Sequence, residues 1–139
     1  MSRRTFAAEL ARAPIFSGMT DDELRWVTRL AVRAREPAGA ELICEGERGN
    51  EFLVVLEGTV EVRHGGRAVA TLGPGDHLGE IALVDEHGRR TATAFATTPV
   101  TIAYLGRHEF TRLLTESPAF ERAIGAAMAT RVAELEERG

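Results

Sequence analysis

The chain has little of what would announce a catalytic or membrane chemistry. It has one cysteine, Cys44, in 139 residues. No intramolecular disulfide can form, and a reducing compartment such as the cytoplasm fits. Cys44 stands in an apolar run and reads as a small core residue rather than a nucleophile. No apolar stretch approaches the ~18 residues of a membrane span. Arg3 and Arg4 are followed by no long apolar segment, so the N-terminus does not read as a signal peptide. Basic residues are not in excess. The formal charge is −4, whereas a dedicated nucleic-acid binder needs a basic face. The 4 histidines, His64, His77, His87 and His108, lie in separate elements without paired spacing. A metal site or cupin-like metalloenzyme, which needs clustered histidines and a carboxylate, is therefore not expected. No Ser-His-Asp or paired-carboxylate arrangement stands out, and the chain is not expected to be an enzyme.

What is present is an ordinary globular composition, 44% hydrophobic and 27% charged. At this length it makes one domain, residues 1–139, large enough to bury a core. Three zones follow one another. Residues 1–32 read as helical: Phe6, Leu10 and Ala13 have helical spacing, and Pro14 ends that segment. Thr20 with Glu23 predicts a capping box, ahead of an apolar face of Leu24, Val27, Leu30 and Ala31. Residues 33–106 turn to short valine- and threonine-rich runs punctuated by glycine. Strands are expected over 52–56, 60–63, 69–72, 91–95 and 100–104, with His64-Gly65-Gly66-Arg67 joining two of them as a hairpin. Many short strands with glycine turns indicate a barrel or jelly roll. Residues 107–139 return to helix. Phe110, Leu113 and Leu114 share a face, and Ser117-Pro118 predicts an N-cap before a last helix of about 20 residues. The expected fold is mainly β with flanking helices, a double-stranded β-helix between N-terminal helices and a C-terminal helical lid.

The most informative run lies between Gly73 and Thr93. Gly79-Glu80-Ile81-Ala82-Leu83 is followed by Arg89-Arg90-Thr91-Ala92-Thr93. A glycine allows close backbone approach. A short helical turn offers the unpaired N–H groups of Ile81 and Ala82 and a positive dipole end. An arginine fork binds two oxygens of an anion with charge-assisted bonds, and the Glu80 carboxylate can accept from a sugar hydroxyl. Together these suit a small ligand with one anionic group and one ribose, whose buried charge must be compensated. Either arginine could serve, since they lie nine and ten residues beyond Glu80.

These residues resemble the phosphate-binding cassette of the cyclic nucleotide-binding domain family, and the resemblance covers nearly the whole chain. Ala13-Pro14-Ile15-Phe16-Ser17-Gly18-Met19 is similar to the family's entry segment. Glu45-Gly46-Glu47-Arg48-Gly49-Asn50-Glu51-Phe52 resembles its early turn, and Leu56-Glu57-Gly58-Thr59-Val60 its central strand turn. The cassette then spans about residues 79–93. The resemblance implies that Glu80 takes the ribose hydroxyl. It favours Arg90 for the phosphate, because arginine followed by threonine, alanine and threonine fits Arg90-Thr91-Ala92-Thr93; Arg89 then faces solvent. Thr91 is implied to touch the phosphate or a purine amino group. Leu78 stands where the family often has phenylalanine, and His77 is unusual.

Phe120, Ile124, Met128 and Leu135 form a stripe on the last helix, and Arg131 falls within it, about 20° from Ile124. A cation there reads either as a snorkelling edge residue or as a lid that stacks on the exposed purine; channel-type family members place an arginine similarly. The ligand residues expected are thus Gly79, Glu80, Ile81, Ala82, Arg90, Thr91 and Arg131, with no metal and no further cofactor. The expected function is a stand-alone cyclic nucleotide receptor, for cAMP rather than cGMP, that signals to an unidentified effector or fused output domain by moving its C-terminal helix. Neither DNA nor membrane is an expected partner. The alternative is an interaction scaffold of the same fold that binds no nucleotide.

Overall fold

In the computed structural model, residues 2–84 and 88–138 are described, except for the side chains of residues 82, 84 and 131–138. Helix α1 (Arg3–Ala11) begins at Ser2, whose hydroxyl accepts from Thr5 N. A single 3₁₀ turn, Pro14–Phe16, replaces the helix where proline removes a donor. Helix α2 (Asp21–Leu30) has the expected capping box, with Thr20 Oγ1 accepting from Glu23 N and Glu23 Oε1 accepting from Thr20 N, both at 3.1 Å. The Thr20 amide, and then the Ser117 hydroxyl, hold the Glu23 carboxyl below the usual range. Ser117 Oγ donates to Glu23 Oε2 at 2.8 Å and accepts from Phe120 N at 3.2 Å. One serine thereby caps the last helix and pins it to the start of α2.

Eight strands form two four-stranded antiparallel sheets. The first has the order β1 (Val32–Glu36), β8 (Val100–Gly106), β3 (Glu51–Glu57), β6 (His77–Leu78). The second has the order β2 (Glu41–Ile43), β7 (Thr93–Ala96), β4 (Val60–His64), β5 (Arg67–Leu72). The hairpin forms as expected, His64 pairing with Arg67 across Gly65-Gly66. Helices α3 (Glu80–Val84), α4 (Arg107–Glu116) and α5 (Pro118–Arg138) complete the fold. The double-stranded β-helix with flanking helices is therefore observed.

Strand β3 explains the layering. Its residues alternate faces, yet Phe52, Leu53, Val54 and Val55 are all buried. Leu53 and Val55 face Val60, Leu78, Ala94 and Ile102 between the sheets. Phe52 and Val54 face the opposite way, into a cluster with Leu10, Phe16, Val27, Phe110, Phe120 and Ile124 from the helices. The ring centroids of Phe52 lie 5.2 Å from Phe110 and 6.0 Å from Phe120, and Phe16 stacks on Phe120 at 5.8 Å.

Three strands were not expected from sequence. β1, β2 and β6 have 5, 3 and 2 residues, too few for a strand pattern of their own. β1 begins at Val32, so the helical zone ends at Leu30. The strand expected over 91–95 begins at Thr93. The preceding backbone is already engaged: Arg90 N donates to Glu47 O at 2.7 Å, and Gly46 N donates to Arg90 O at 2.9 Å. Cys44 is half-buried at the rim rather than in the core, and burial followed by Glu41 pushes its thiol pKa up.

The β3–β4 connection requires glycine at position 58. Its φ is +87°, and a Cβ there would lie 2.3 Å from Pro99 O and 2.8 Å from Val100 Cγ1. Gly39 has nearly the same φ, +88°, with nothing within 4 Å. Gly39→Ala should therefore cost only the left-handed conformation, about 1–2 kcal/mol. Gly58→Ala should cost about 1–3 kcal/mol more from overpacking. Urea denaturation of the two variants measures the difference; equal midpoints would show that the connection tolerates a side chain.

Candidate functional site

The site is assembled where three chain segments converge. β6 ends at Leu78, and Gly79 turns the chain with φ +100° into α3. Glu80 opens α3 and is fully buried. The amides of Ile81 and Ala82 lie in the first turn of that helix, where intrahelical acceptors are lacking. Glu51 opens β3 on one side, and Arg90 approaches from the chain leading into β7 on the other.

Arg90 is the centre of this arrangement. It is 9% exposed, and its guanidinium reaches both other segments: Nη1 donates to Gly79 O at 3.2 Å and Nη2 to Glu51 O at 2.7 Å. Burial pulls its pKa down; Glu51 and Glu80 oppose that effect and the nearby cation of Arg107 adds to it. A Cβ at position 79 would lie 2.6 Å from Arg90 Nη1 and 2.7 Å from Glu51 O. Glycine is thus required here both by backbone conformation and by the arginine that passes over it.

Arg89 is exposed, and its Nη1 donates to Gly46 O at 3.1 Å. The two adjacent arginines point to opposite sides, with Arg90 inward. His77 lies beside Glu80, Nε2 to Oε1 at 3.9 Å, with its ring 5.6 Å from Phe52. Thr91 is exposed, and its carbonyl meets His64 Nδ1 at 2.7 Å. Gly79, Glu80, the Ile81 and Ala82 amides and Arg90 are therefore brought together, with Thr91 at the rim. Arg131 is in α5, but its side chain lies outside the described residues.

Two participants were not anticipated from sequence. The carbonyl of Glu51 is a backbone group that any residue would supply, so no sequence signal could mark it. Arg107, the first residue of α4, donates from Nη1 to Leu83 O at 3.2 Å and from Nη2 to Gly49 O. No motif marked it, since it stands three residues beyond the end of the strand expected over 100–104. Among the described residues there is no group of three His, Cys, Asp or Glu placed to hold a metal. No helix among them is long and apolar enough to cross a membrane.

Comparison with known proteins agrees with this geometry. The family described as cyclic nucleotide-binding domain matches residues 35–117. The cyclic AMP receptor protein of Thermus thermophilus is 30% identical over 129 residues, covering 89% of this chain and 59% of the relative. The Pycsar effector protein XpPycTIR of Xanthomonas perforans is 33% identical over 98 residues, covering 70% of this chain and 32% of the relative. The solved structure of cAMP-bound PfPKA-R superposes with a TM-score of 0.84 at 26% identity, covering 97% of this chain and 45% of that one. The chain thus spans from about a third to about three fifths of the lengths of these relatives. With the matched region taking in β2 to α4 and the whole site built around Arg90, the chain belongs to the cyclic nucleotide-binding domain family.

Proposed function

We propose that this domain binds a cyclic nucleotide, cAMP in preference to cGMP, and passes the event on through its C-terminal helix. The observation that carries this reading is the buried Arg90 guanidinium held across Gly79, beside a fully buried Glu80. Guanidinium has five N–H donors in a planar fork. The two bonds to carbonyls aim the group, and its other donors suit the oxygens of a cyclic phosphate. The Ile81 and Ala82 amides supply further donors from the first turn of α3. Glu80 accepts from the ribose 2′-hydroxyl. Thr91, at the rim, contacts the phosphate or the purine amino group, and Arg131 covers the base. The cAMP in the names of the Thermus receptor and of the PfPKA-R structure supports the choice of base.

On this reading residues 1–139 act as one sensory domain rather than an enzyme, working in the cytoplasm. The output belongs to an effector, fused or separate, as the Pycsar relative's 32% coverage suggests by leaving most of that protein unmatched. DNA and membrane are not direct partners of this domain.

Titration calorimetry with cAMP and cGMP tests the proposal. Binding of cAMP by the unaltered protein is expected, and Arg90→Ala should weaken it about a hundredfold, a few kcal/mol for a buried charge-assisted contact. Arg89→Ala should be mild. Arg90→Lys should bind poorly, because an ammonium cannot reproduce the fork. Equal losses at positions 89 and 90 would sink the assignment, and no heat with either nucleotide would leave the scaffold reading.

Glu80→Gln should weaken cAMP more than 2′-deoxy-cAMP, since only the former offers the hydroxyl that the carboxylate accepts from. The same factor lost for both ligands would make Glu80 a structural residue.

Arg131→Ala should weaken cAMP about tenfold, chiefly through faster dissociation, because a lid acts after the phosphate has docked. Hydrogen exchange across residues 118–135 should slow on binding. Unchanged exchange, with unchanged affinity in Arg131→Ala, would leave Arg131 a snorkelling side chain on a fixed helix.

A further inference from the structure

Arg107 joins three elements that chain connectivity keeps apart. It is the first residue of α4, directly after Gly106, which pairs with Glu51 at the start of β3. Its Nη1 donates to Leu83 O at 3.2 Å. Leu83 lies in the last turn of α3, where carbonyls lack intrahelical donors and a cation is favourable. Its Nη2 donates to Gly49 O. Gly49 N in turn donates to Gly88 O at 3.2 Å, and the neighbouring Gly46 and Glu47 bracket the backbone of Arg90. One guanidinium therefore reaches the helix that carries the site's amides and the turn that holds the backbone of Arg90.

The apolar contacts run along the same line. Leu83 is buried in the cluster that holds Phe110 of α4 and Phe120 of α5, and α3 packs against both helices. Arg107 is also near enough to Arg90 to oppose its charge.

We propose that Arg107 is a positioning residue that locks the start of α4 to both walls of the phosphate cassette, so that α3, the turn over residues 46–50 and the C-terminal helices tighten or loosen as one unit. This deepens the nucleotide-receptor reading and rests on it for the ligand that drives the change. The lock itself exists without ligand.

Hydrogen exchange on the full chain tests it, first without nucleotide. Arg107→Gln should speed exchange about tenfold or more at residues 46–50 and 80–84, as expected for loss of hydrogen bonds from a charged donor. Exchange in the centres of β3 and β8 should not change. Arg107→Lys keeps the charge but not the fork, and should protect only one of the two segments. Phe110→Leu is the control for general destabilisation, raising exchange in the sheets as well. A pattern for Arg107→Gln that matches Phe110→Leu, or no change at either segment, would overturn the proposal. Should Arg107→Gln not fold, Arg107→Lys carries the same comparison.

Saturating cAMP then reads the coupling. In the unaltered protein it should alter exchange at residues 80–84 and across 107–130 together. In Arg107→Gln the cassette should still respond, whereas the helices should not. Helices that respond as in the unaltered protein would overturn the coupling. Failure of the unaltered protein to bind cAMP would defeat the nucleotide reading alone, and the ligand-free exchange would still decide the role of Arg107.

Discussion

A guanidinium taken out of water must recover its hydrogen bonds and its charge compensation, or the fold loses several kcal/mol. Arg90 imposes that demand, and much of the architecture can be read as the answer. The two carbonyls it reaches belong to residues 79 and 51, far apart in sequence. They come together only because β6 pairs with β3, with Leu53 opposite Leu78 and Val54 opposite His77. The backbone of Arg90 is fixed separately, by the turn that contains Gly46 and Glu47. Position 79 must then be glycine because the guanidinium occupies the space a Cβ would take. The two glutamates that face Arg90, Glu51 and Glu80, favour its charged form and offset part of the burial.

The same strand that carries Glu51 also carries Phe52, the next residue. Its side chain points to the opposite face of the sheet, against Phe110 and Phe120. Displacement at the start of β3 would therefore be felt both at the site, through the Glu51 carbonyl and His77, and under the helices. Packed aromatic rings resist small continuous shifts, because interiors are close-packed and a gap forfeits contact energy steeply. Such a layer favours a few discrete helix positions over gradual drift. Ser117 fixes the start of α5, since it caps that helix while bonded to Glu23 of α2.

Legibility from sequence followed the strength of each local signal. The capping box at Thr20 and Glu23, the hairpin at His64–Arg67 and the N-cap at Ser117 were all readable, because each is set by a few neighbouring residues. β3 was readable from its apolar run, although the run could not say that both faces were covered. β1, β2 and β6 were not, because two- to five-residue strands are decided by their partners rather than by their own propensity. At the candidate site, glycine beside glutamate and the paired arginines marked segments that the fold does bring together. Residue type alone could not have done so, since all 17 basic residues of the chain are arginine. What separates Arg90 from its neighbour is its setting: Arg90 is buried with its guanidinium on Gly79 O and Glu51 O, whereas Arg89 is exposed and donates to Gly46 O. The roles of the Glu51 carbonyl and of Arg107 depended on tertiary proximity and left no pattern to read.

The electrostatic setting is unusual for the proposed anion site, because the chain as a whole carries a formal charge of −4. At physiological salt the field of surface carboxylates decays over about 8 Å. The net charge thus opposes an approaching anion only weakly, and it supplies no long-range steering. On the proposed reading, discrimination comes from the last few ångströms, where the buried Arg90 and the α3 amides would meet the ligand, with Arg107 near enough to act on Arg90. In that space a hydrogen bond to an ionised group is worth more than at the surface, and an unmatched polar atom is penalised more heavily. On the proposed reading, a ligand lacking either the anion or the hydroxyl would forgo the charge-assisted contact with Arg90 or the bond accepted by Glu80. The burial that makes the arginine costly to hold would then also be what makes the proposed site selective.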